Sequence, residues 1–186
     1  MRVFKKIKGI IKFLRITIEY KLTHPYDYAK KIGVNIGDDC FVPDKACWSS
    51  EPYLITVGNH CQITSGVRIF THGGGQAIRR FIPNFDVFGK VTIGHYVYIG
   101  NNALIMPGVT IGDNVLVASG SVVTKSIPSG MVVAGNPARI VCTVEEYIER
   151  NKVYNLETKG LSHQEKELIL KELDDSKFVT KKYLTI

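Results

Sequence analysis

Residues 93–123, IGHYVYIGNNALIMPGVTIGDNVLVASGSVV, decide the fold, because they repeat with a period of six. An aliphatic side chain returns at every sixth position: Ile93, Ile99, Ile105, Ile111, Val117 and Val123. Four residues after each of these comes a second residue, mostly small: Val97, Ala103, Val109, Val115, Ser121 and finally Ile127. This period fits neither the 3.6-residue turn of a helix nor the alternation of a flat strand. It predicts coils of three short strands, stacked so that the aliphatic residues form one buried column.

The same register extends upstream of this stretch, with two interruptions. The matching aliphatic residues are Ile36, Val42, Val57, Ile63, Ile69 and Val87 with Val91. The register slips over residues 48–53 and again between residues 72 and 86. Cys40 and Cys61 occupy the small position, so we expect them to pack in the core and not to act as ligands or nucleophiles. An ordinary β-sandwich is the alternative, but chance periodicity rarely gives six successive matches.

Glycine follows three of the aliphatic residues, as Gly94, Gly100 and Gly112. These positions fall at the predicted corners between strands. Glycine suits a tight corner either because a side chain would collide there or because the backbone needs a positive φ. The sequence leaves both reasons open.

The composition is that of one globular domain. The chain has 186 residues, of which 45% are hydrophobic and 22% charged, which is enough for a substantial core. The four cysteines show no CxxC pair and no zinc spacing. No apolar run reaches the length of a secretory signal or a transmembrane helix. We therefore expect a cytoplasmic protein with free thiols and no metal.

Both flanks of the repeat are predicted to be helical. In residues 1–31 one face carries Phe4, Ile7, Ile11, Leu14 and Ile18. This helix either caps the open end of the coil or makes peripheral contact with an anionic membrane surface, and both can hold. The net charge of +7 also fits a phosphorylated ligand, whereas we expect no nucleic-acid partner. Residues 143–154 and 162–173 are predicted to form two further helices, the second with Ser162 and Glu165 as a capping box.

Several motifs of the repeat resemble those of the hexapeptide-repeat acetyltransferases. They are Asn101-Asn102-Ala103, Pro107-Gly108-Val109-Thr110-Ile111-Gly112-Asp113-Asn114, Ser119-Gly120-Ser121, Val123-Thr124-Lys125 and Gly135-Asn136-Pro137-Ala138-Arg139. The resemblance is to the branch that holds galactoside and maltose acetyltransferases and the sugar O-acetyltransferases of surface-polysaccharide pathways. The segments Ser50-Glu51-Pro52-Tyr53 and Ile69-Phe70-Thr71-His72-Gly73-Gly74 are similar to the polysaccharide members in particular.

The resemblance implies a mainly β fold, a left-handed parallel β-helix with an N-terminal helix and C-terminal helices. The helical cap would comprise residues 1–31, the β-helix domain residues 32–142 with a loop at 73–86, and the helical extension residues 143–186. The resemblance further implies a homotrimer with active sites between adjacent subunits. The co-substrate would be acetyl-CoA and the acceptor a hydroxyl of a sugar or sugar nucleotide. Alternatives are an antibiotic or amino-sugar N-acetyltransferase, or a non-catalytic β-helix protein that binds or supports a partner.

His72 is the expected catalytic base. The resemblance places the family's general base at this position, and neutral imidazole can take the proton of a poorly nucleophilic sugar hydroxyl. Glu51 is the candidate partner that orients the imidazole and stabilises its cation, as the acid of a triad does. It could instead bind acceptor hydroxyls, or be an exposed turn carboxylate.

The remaining candidate residues concern the two substrates. On the acetyl-CoA side the resemblance implies Asn101, Ser119, Thr124, Lys125 and Arg139, and cations suit the phosphates of a nucleotide. Tyr98 stands where many relatives carry tryptophan and would form an aromatic wall. Arg79 and Arg80, in a glycine-rich loop, would bind an anionic acceptor or pair with acids of a neighbouring subunit.

Overall fold

The computed structural model describes residues 22–45 and 48–183. Most of the predicted N-terminal helix, including its apolar face from Phe4 to Ile18, therefore lies outside the described residues. The predicted membrane contact of that helix lies outside them as well.

The described chain consists mainly of very short strands. They are β1 (Asn35–Ile36), β2 (Ile55–Val57), β3 (Gln62–Ile63), β4 (Arg68–Ile69), β5 (Val91–Ile93), β6 (Tyr98–Ile99), β7 (Leu104–Ile105), β8 (Thr110–Ile111), β9 (Leu116–Val117), β10 (Val122–Val123), β11 (Met131–Ala134) and β12 (Arg139–Thr143). Outside the two interruptions, before β2 and before β5, corners of a few residues separate them, which is the spacing that a period of six requires.

From β2 to β11, strands that follow one another in sequence lie in different sheets. The first sheet has the order β1-β2-β5-β8, the second β3-β6-β9-β11-β12, and the third β4-β7-β10. All neighbours are parallel and in register, as in Ile93 with Ile111, except that β12 runs antiparallel to β11. The chain thus passes through three sheets in turn and returns to the first, so the predicted stack of three-stranded coils is confirmed.

The core is the column of aliphatic residues that the repeat predicts. Fully buried side chains include Ile55, Ile63, Ile69, Ile93, Ile99, Ile105 and Ile111, together with Val97, Val115 and Val117. Each contributes roughly 1.5–3 kcal/mol by leaving water. The prediction is wrong for one residue of the column: Val87 is 54% exposed, whereas Val91 is fully buried. Val87 belongs to the loop that precedes β5, where the coil has not yet resumed.

The corner glycines are explained by close approach between coils. A Cβ on Gly94 would lie 2.8 Å from the carbonyl carbon of Gly112, and Gly94 does not have a positive φ. The positive φ values fall two residues later, at Tyr96 (57°) and Asn114 (54°), where side chains are tolerated. Of the two reasons left open by the sequence, the steric one therefore applies at these glycines.

The two cysteines on the small position pack as predicted. Cys61 is buried, and its burial raises the pKa of the thiol to about 11. Its Sγ lies 3.1 Å from the carbonyl oxygen of Gly94 on the next coil. Cys40 is half-buried against the same core. A thiol with so high a pKa is a poor nucleophile, which agrees with a packing role.

Helices lie at both ends of the coil stack. Helix α1 (Pro25–Ile32) packs on the first coil: Ala29 is fully buried, and the Tyr26 hydroxyl donates a hydrogen bond of 2.8 Å to Gly37 O. A four-residue helix, α2 (Gly75–Ile78), lies in the loop after His72. Helix α1 thus caps the first coil. The prediction of one helix over residues 1–31 is wrong at this point, because α1 begins at Pro25 with the extended residue His24 as its N-cap.

The C-terminal helices begin where the sequence predicts. Helix α3 (Val144–Asn151) continues into a 3-10 turn (Lys152–Tyr154), and α4 comprises His163–Glu172. Both start with capping boxes, Thr143 with Glu146 and Ser162 with Glu165. Among the helices of the described ranges, none has the length and apolar character needed to cross a membrane.

Candidate active site

The two interruptions of the repeat meet in space. Glu51 lies just before a 3-10 turn (Pro52–Leu54) that leads into β2, and His72 lies three residues after β4. His72 also forms an isolated antiparallel bridge with Phe88, so the intervening loop returns to its starting point before β5. The flanking coils therefore hold both ends of the loop, and with them His72.

His72 and Glu51 form a hydrogen-bonded pair. His72 Nδ1 lies 2.7 Å from Glu51 Oε2, and the two side chains are 40% and 18% exposed. Because an ionised carboxylate only accepts hydrogen bonds, the proton is on Nδ1 and is donated to Glu51. The lone pair is then on Nε2, the ring nitrogen that is free to accept a proton.

Glu51 is held as an anion. The hydrogen bond from the Thr71 hydroxyl lowers the pKa of this carboxyl most, and hydrogen bonds with Ser50 and His72 lower it further against the opposing effect of partial burial. Thr71 Oγ1 lies 2.7 Å from Glu51 Oε2, the same oxygen that His72 contacts. A carboxylate in this setting favours the protonated Nδ1 and would stabilise an imidazolium.

An aromatic ring lies beside the imidazole. The centroid of Phe88 is 5.8 Å from that of His72, with the rings tilted by 48°, and Phe88 is 49% exposed. Reasoning from the sequence missed Phe88, as it missed Thr71 and Ser49. The only available signal was that all three lie in or beside the breaks of the repeat.

Lys125 and Arg139 are brought together at the last coil. Both line a cavity of about 360 Å³, whose apolar wall includes Val123, Ile127 and Val133. Arg139 Nη1 donates to the carbonyl oxygen of Ala138 at 3.0 Å. Within residues 22–45 and 48–183, neither cation has a carboxylate within ion-pair distance. Thr124 is exposed and adjoins this cavity only in sequence.

Asn101 and Ser119 occupy the same corner on successive coils. The backbone N–H of Gly120 donates to Asn101 O at 2.8 Å, and both candidate side chains are exposed. Tyr98 points outward from β6 in the second sheet and is 37% exposed. No contact recorded for the described residues joins these three to His72.

The loop arginines contact their own loop. Arg79 pairs with Asp86 at 3.9 Å and donates through Nε to Phe85 O at 3.2 Å. Arg80 lies over the ring of Phe81, with its guanidinium carbon 5.7 Å from the centroid. Both are exposed, so both cations remain accessible to an anionic ligand.

The other histidines have structural surroundings. His95 Nδ1 accepts a hydrogen bond from the backbone of Asn59 at 3.1 Å, and His60 stacks on Tyr96 at 4.7 Å. In the part of the chain that the structure describes, no three His, Cys, Asp or Glu side chains group as metal ligands.

Known proteins resemble this chain in sequence and in fold. The family described as bacterial transferase hexapeptide (six repeats) matches residues 90–125. Protein CapG of Staphylococcus aureus is 44% identical over 150 residues, which cover 77% of this chain and 86% of CapG. The putative lipopolysaccharide biosynthesis O-acetyl transferase WbbJ of Escherichia coli (strain K12) is 34% identical over 114 residues, or 56% of this chain and 53% of WbbJ.

Among solved structures, a galactoside acetyltransferase in complex with coenzyme A has the same fold. The TM-score is 0.52 at 23% identity, and the match covers 75% of this chain and 82% of that protein. A stack of three-stranded coils built on a six-residue repeat is the fold expected of a hexapeptide-repeat transferase. The chain belongs to the bacterial hexapeptide-repeat transferases, and its relatives identify it as an acetyltransferase.

Proposed function

We propose that this protein transfers an acetyl group from acetyl-CoA to a hydroxyl of a sugar or sugar nucleotide, with His72 as general base. The observation that carries the proposal is the 2.7 Å contact between His72 Nδ1 and Glu51 Oε2. It leaves the basic Nε2 on a side chain that is 40% exposed, which suits a base that must reach a substrate.

In the proposed reaction, acetyl-CoA supplies the acetyl group as a reactive thioester. His72 Nε2 takes the proton of the acceptor hydroxyl as the hydroxyl oxygen bonds to the thioester carbonyl carbon. The C–S bond then breaks, and the imidazolium returns the proton to the departing sulfur, which leaves as the thiol of coenzyme A. Glu51 stabilises the imidazolium while the proton is on the ring. No covalent bond to the enzyme is formed.

The cavity at the last coil suits the phosphate-bearing end of coenzyme A. Lys125 and Arg139 supply two cations without carboxylate partners among the described residues, beside an apolar wall. Phosphate oxygens bind guanidinium and ammonium groups well. Asn101, Ser119 and Thr124 would contact the remainder of the molecule.

A left-handed coil and a homotrimer complete the proposal. The candidate residues lie in three separate places on one chain: the His72–Glu51 pair, the Asn101–Ser119 corner, and the cavity of Lys125 and Arg139. A neighbouring subunit would bring these places together across an interface. Residues 32–142 would be the transferase domain, with residues 1–31 and 143–186 as flanking helical parts.

The acceptor is proposed to be a sugar used in surface polysaccharide. Two similar proteins support a carbohydrate: one is a galactoside O-acetyltransferase, and the other is WbbJ, a putative lipopolysaccharide biosynthesis O-acetyl transferase. Arg79 and Arg80 would contact an anionic part of the acceptor, such as a nucleotide phosphate. Phe88 and Tyr98 would offer aromatic surfaces to a sugar ring.

The test is thiol release from acetyl-CoA with a panel of sugars, sugar nucleotides, amino sugars and aromatic antibiotics. We expect turnover that requires a sugar hydroxyl and falls by about 10²–10⁴-fold in His72→Ala. His163→Ala, on an exposed helix, is the matched control and should keep full activity. Transfer to an amine would move the assignment to N-acetylation. No turnover and no binding of coenzyme A by calorimetry would leave a non-catalytic coil protein.

A further inference from the structure

Thr71 stands out as a buried hydroxyl beside the His72–Glu51 pair. It is completely buried, in contrast to the partly exposed side chains that it touches. The inward positions of this coil stack are otherwise mostly aliphatic. A hydroxyl at such a place needs a polar partner, because an unsatisfied buried hydroxyl is costly.

The partner of this hydroxyl is the carboxylate of Glu51. Thr71 Oγ1 lies 2.7 Å from Glu51 Oε2 and also 2.7 Å from Ser49 Oγ. A hydroxyl has one proton, and the carboxylate can only accept, so Thr71 donates to Glu51 and accepts from Ser49. The Thr71 backbone N–H in turn donates to Ser49 Oγ at 3.2 Å. Ser49 therefore fixes Thr71 from two sides.

These contacts form a chain of hydrogen bonds with a defined direction. Ser49 donates to Thr71, Thr71 donates to Glu51, and His72 donates to the same Glu51 oxygen. Hydrogen bonds in a series polarise one another. Oε2 of Glu51 accepts both hydrogen bonds. The two donors together hold the carboxylate in one rotation, with Oε2 facing the imidazole.

We infer that Thr71 is a positioning residue: its buried hydroxyl fixes the Glu51 carboxylate against His72 Nδ1 and so keeps the reactive tautomer of the imidazole. The inference rests on the proposed role of His72 as base. Thr71 does not touch substrate in this arrangement. It acts through Glu51, and Ser49 acts through Thr71.

The test compares Thr71→Val, which removes the hydroxyl and keeps the branched shape, with Thr71→Ser, which keeps the hydroxyl. Thr64→Val is the matched control, because Thr64 is also buried (8% exposed) and its Oγ1 donates to Ile99 O at 2.7 Å, within the coil stack. Steady-state kinetics with acetyl-CoA are measured for all three. The protonated ring nitrogen of His72 is identified by NMR of ¹⁵N-histidine-labelled protein, assigned with His72→Ala.

We expect Thr71→Val to lower kcat by about tenfold or more while KM for acetyl-CoA stays within about twofold, because a hydrogen bond to a charged group is lost. Thr71→Ser should restore kcat to within about threefold of the wild type. Thr64→Val should lose thermal stability and keep kcat. The wild type should show the proton on Nδ1, and Thr71→Val a mixture of the two neutral tautomers.

Wild-type kcat and an unchanged tautomer in Thr71→Val would overturn the inference, as would a Thr71→Ser variant as slow as Thr71→Val. A wild type that neither turns over nor binds coenzyme A would refute the proposed function instead. In that case the tautomer comparison alone decides the positioning role: a mixture in Thr71→Val supports it, and an unchanged Nδ1 proton refutes it.

Discussion

The regular coils and the two interruptions differ in what their side chains do. In the coils, Ile63, Ile99 and Val117 occupy equivalent positions on successive turns of the second sheet and are all buried. In the interruptions, Glu51 and His72 leave this order and contact each other across the breaks. The repeat supplies a rigid support, and the candidate reactive groups lie where the repeat stops.

The largest expected effect is on the regular coils. Ile99→Ala removes most of a fully buried side chain from the middle of the column and should lower the free energy of unfolding by about 2–5 kcal/mol. Thr92→Ala, on an outward position of the first sheet, should change it by less than about 0.5 kcal/mol. Chemical denaturation measures both. Equal losses would mean that the column is not the stabilising element.

A corner substitution should have the next largest effect. In Gly94→Ala the new methyl group would lie 2.8 Å from the carbonyl carbon of Gly112, so the coils must separate, at a cost of about 1–3 kcal/mol. Gly73→Ala is the control, since a Cβ there meets nothing within 4 Å. Thermal unfolding of the Gly94→Ala and Gly73→Ala variants distinguishes a tight coil corner from an open loop. A stable Gly94→Ala variant would contradict the steric explanation.

At the interruptions we expect a loss of activity without a comparable loss of folding. Glu51→Gln keeps the shape of the side chain and removes its charge, so the imidazolium is less stabilised and turnover should fall by about tenfold. Glu145→Gln, an exposed carboxylate at the start of α3, serves as control. A loss of less than a few-fold in Glu51→Gln would refute both the orienting and the acceptor-binding role.

The smallest expected effect is a pH dependence of stability. Because hydrogen bonds, that of Thr71 above all, lower the folded-state pKa of Glu51 below its ordinary 4.5, the wild type gains stability above that pH. The gain should disappear as the pH falls through the lowered pKa. Unfolding free energies of wild type and Glu51→Gln, measured at pH 6 and below pH 4, should therefore converge on acidification. Glu165 and Asp174, whose pKa values are also lowered, are common to both proteins and cancel.

The sequence predicted the coils well because their determinant is local and repeated. The aliphatic residues from Ile93 to Val123 occupy positions set by the period. The predicted capping box of Ser162 depends on Glu165, only three positions away. The exposed Val87 followed the period by coincidence, since the backbone there belongs to the loop.

The surroundings of the candidate site could be predicted only in part. The family resemblance made His72 a candidate base, and Glu51 was its proposed partner. The contact of Thr71 with Glu51 depends on how two breaks, twenty residues apart, approach each other. The antiparallel direction of β12 was likewise not predictable, because the chain reversal between Ala134 and Arg139 leaves no mark on the period.

The reversed direction of β12 limits how this molecule can grow. β12 pairs with β11 through Ala134 and Arg139 and covers the edge of the second sheet, while α1 covers the first coil. Because β12 runs in the opposite direction, it does not continue the parallel stack, and in this sheet the coil ends at β11. A longer relative would have to gain its additional coil by insertion between the two covered ends. The distance from His72 to the cavity of Lys125 and Arg139 would then change.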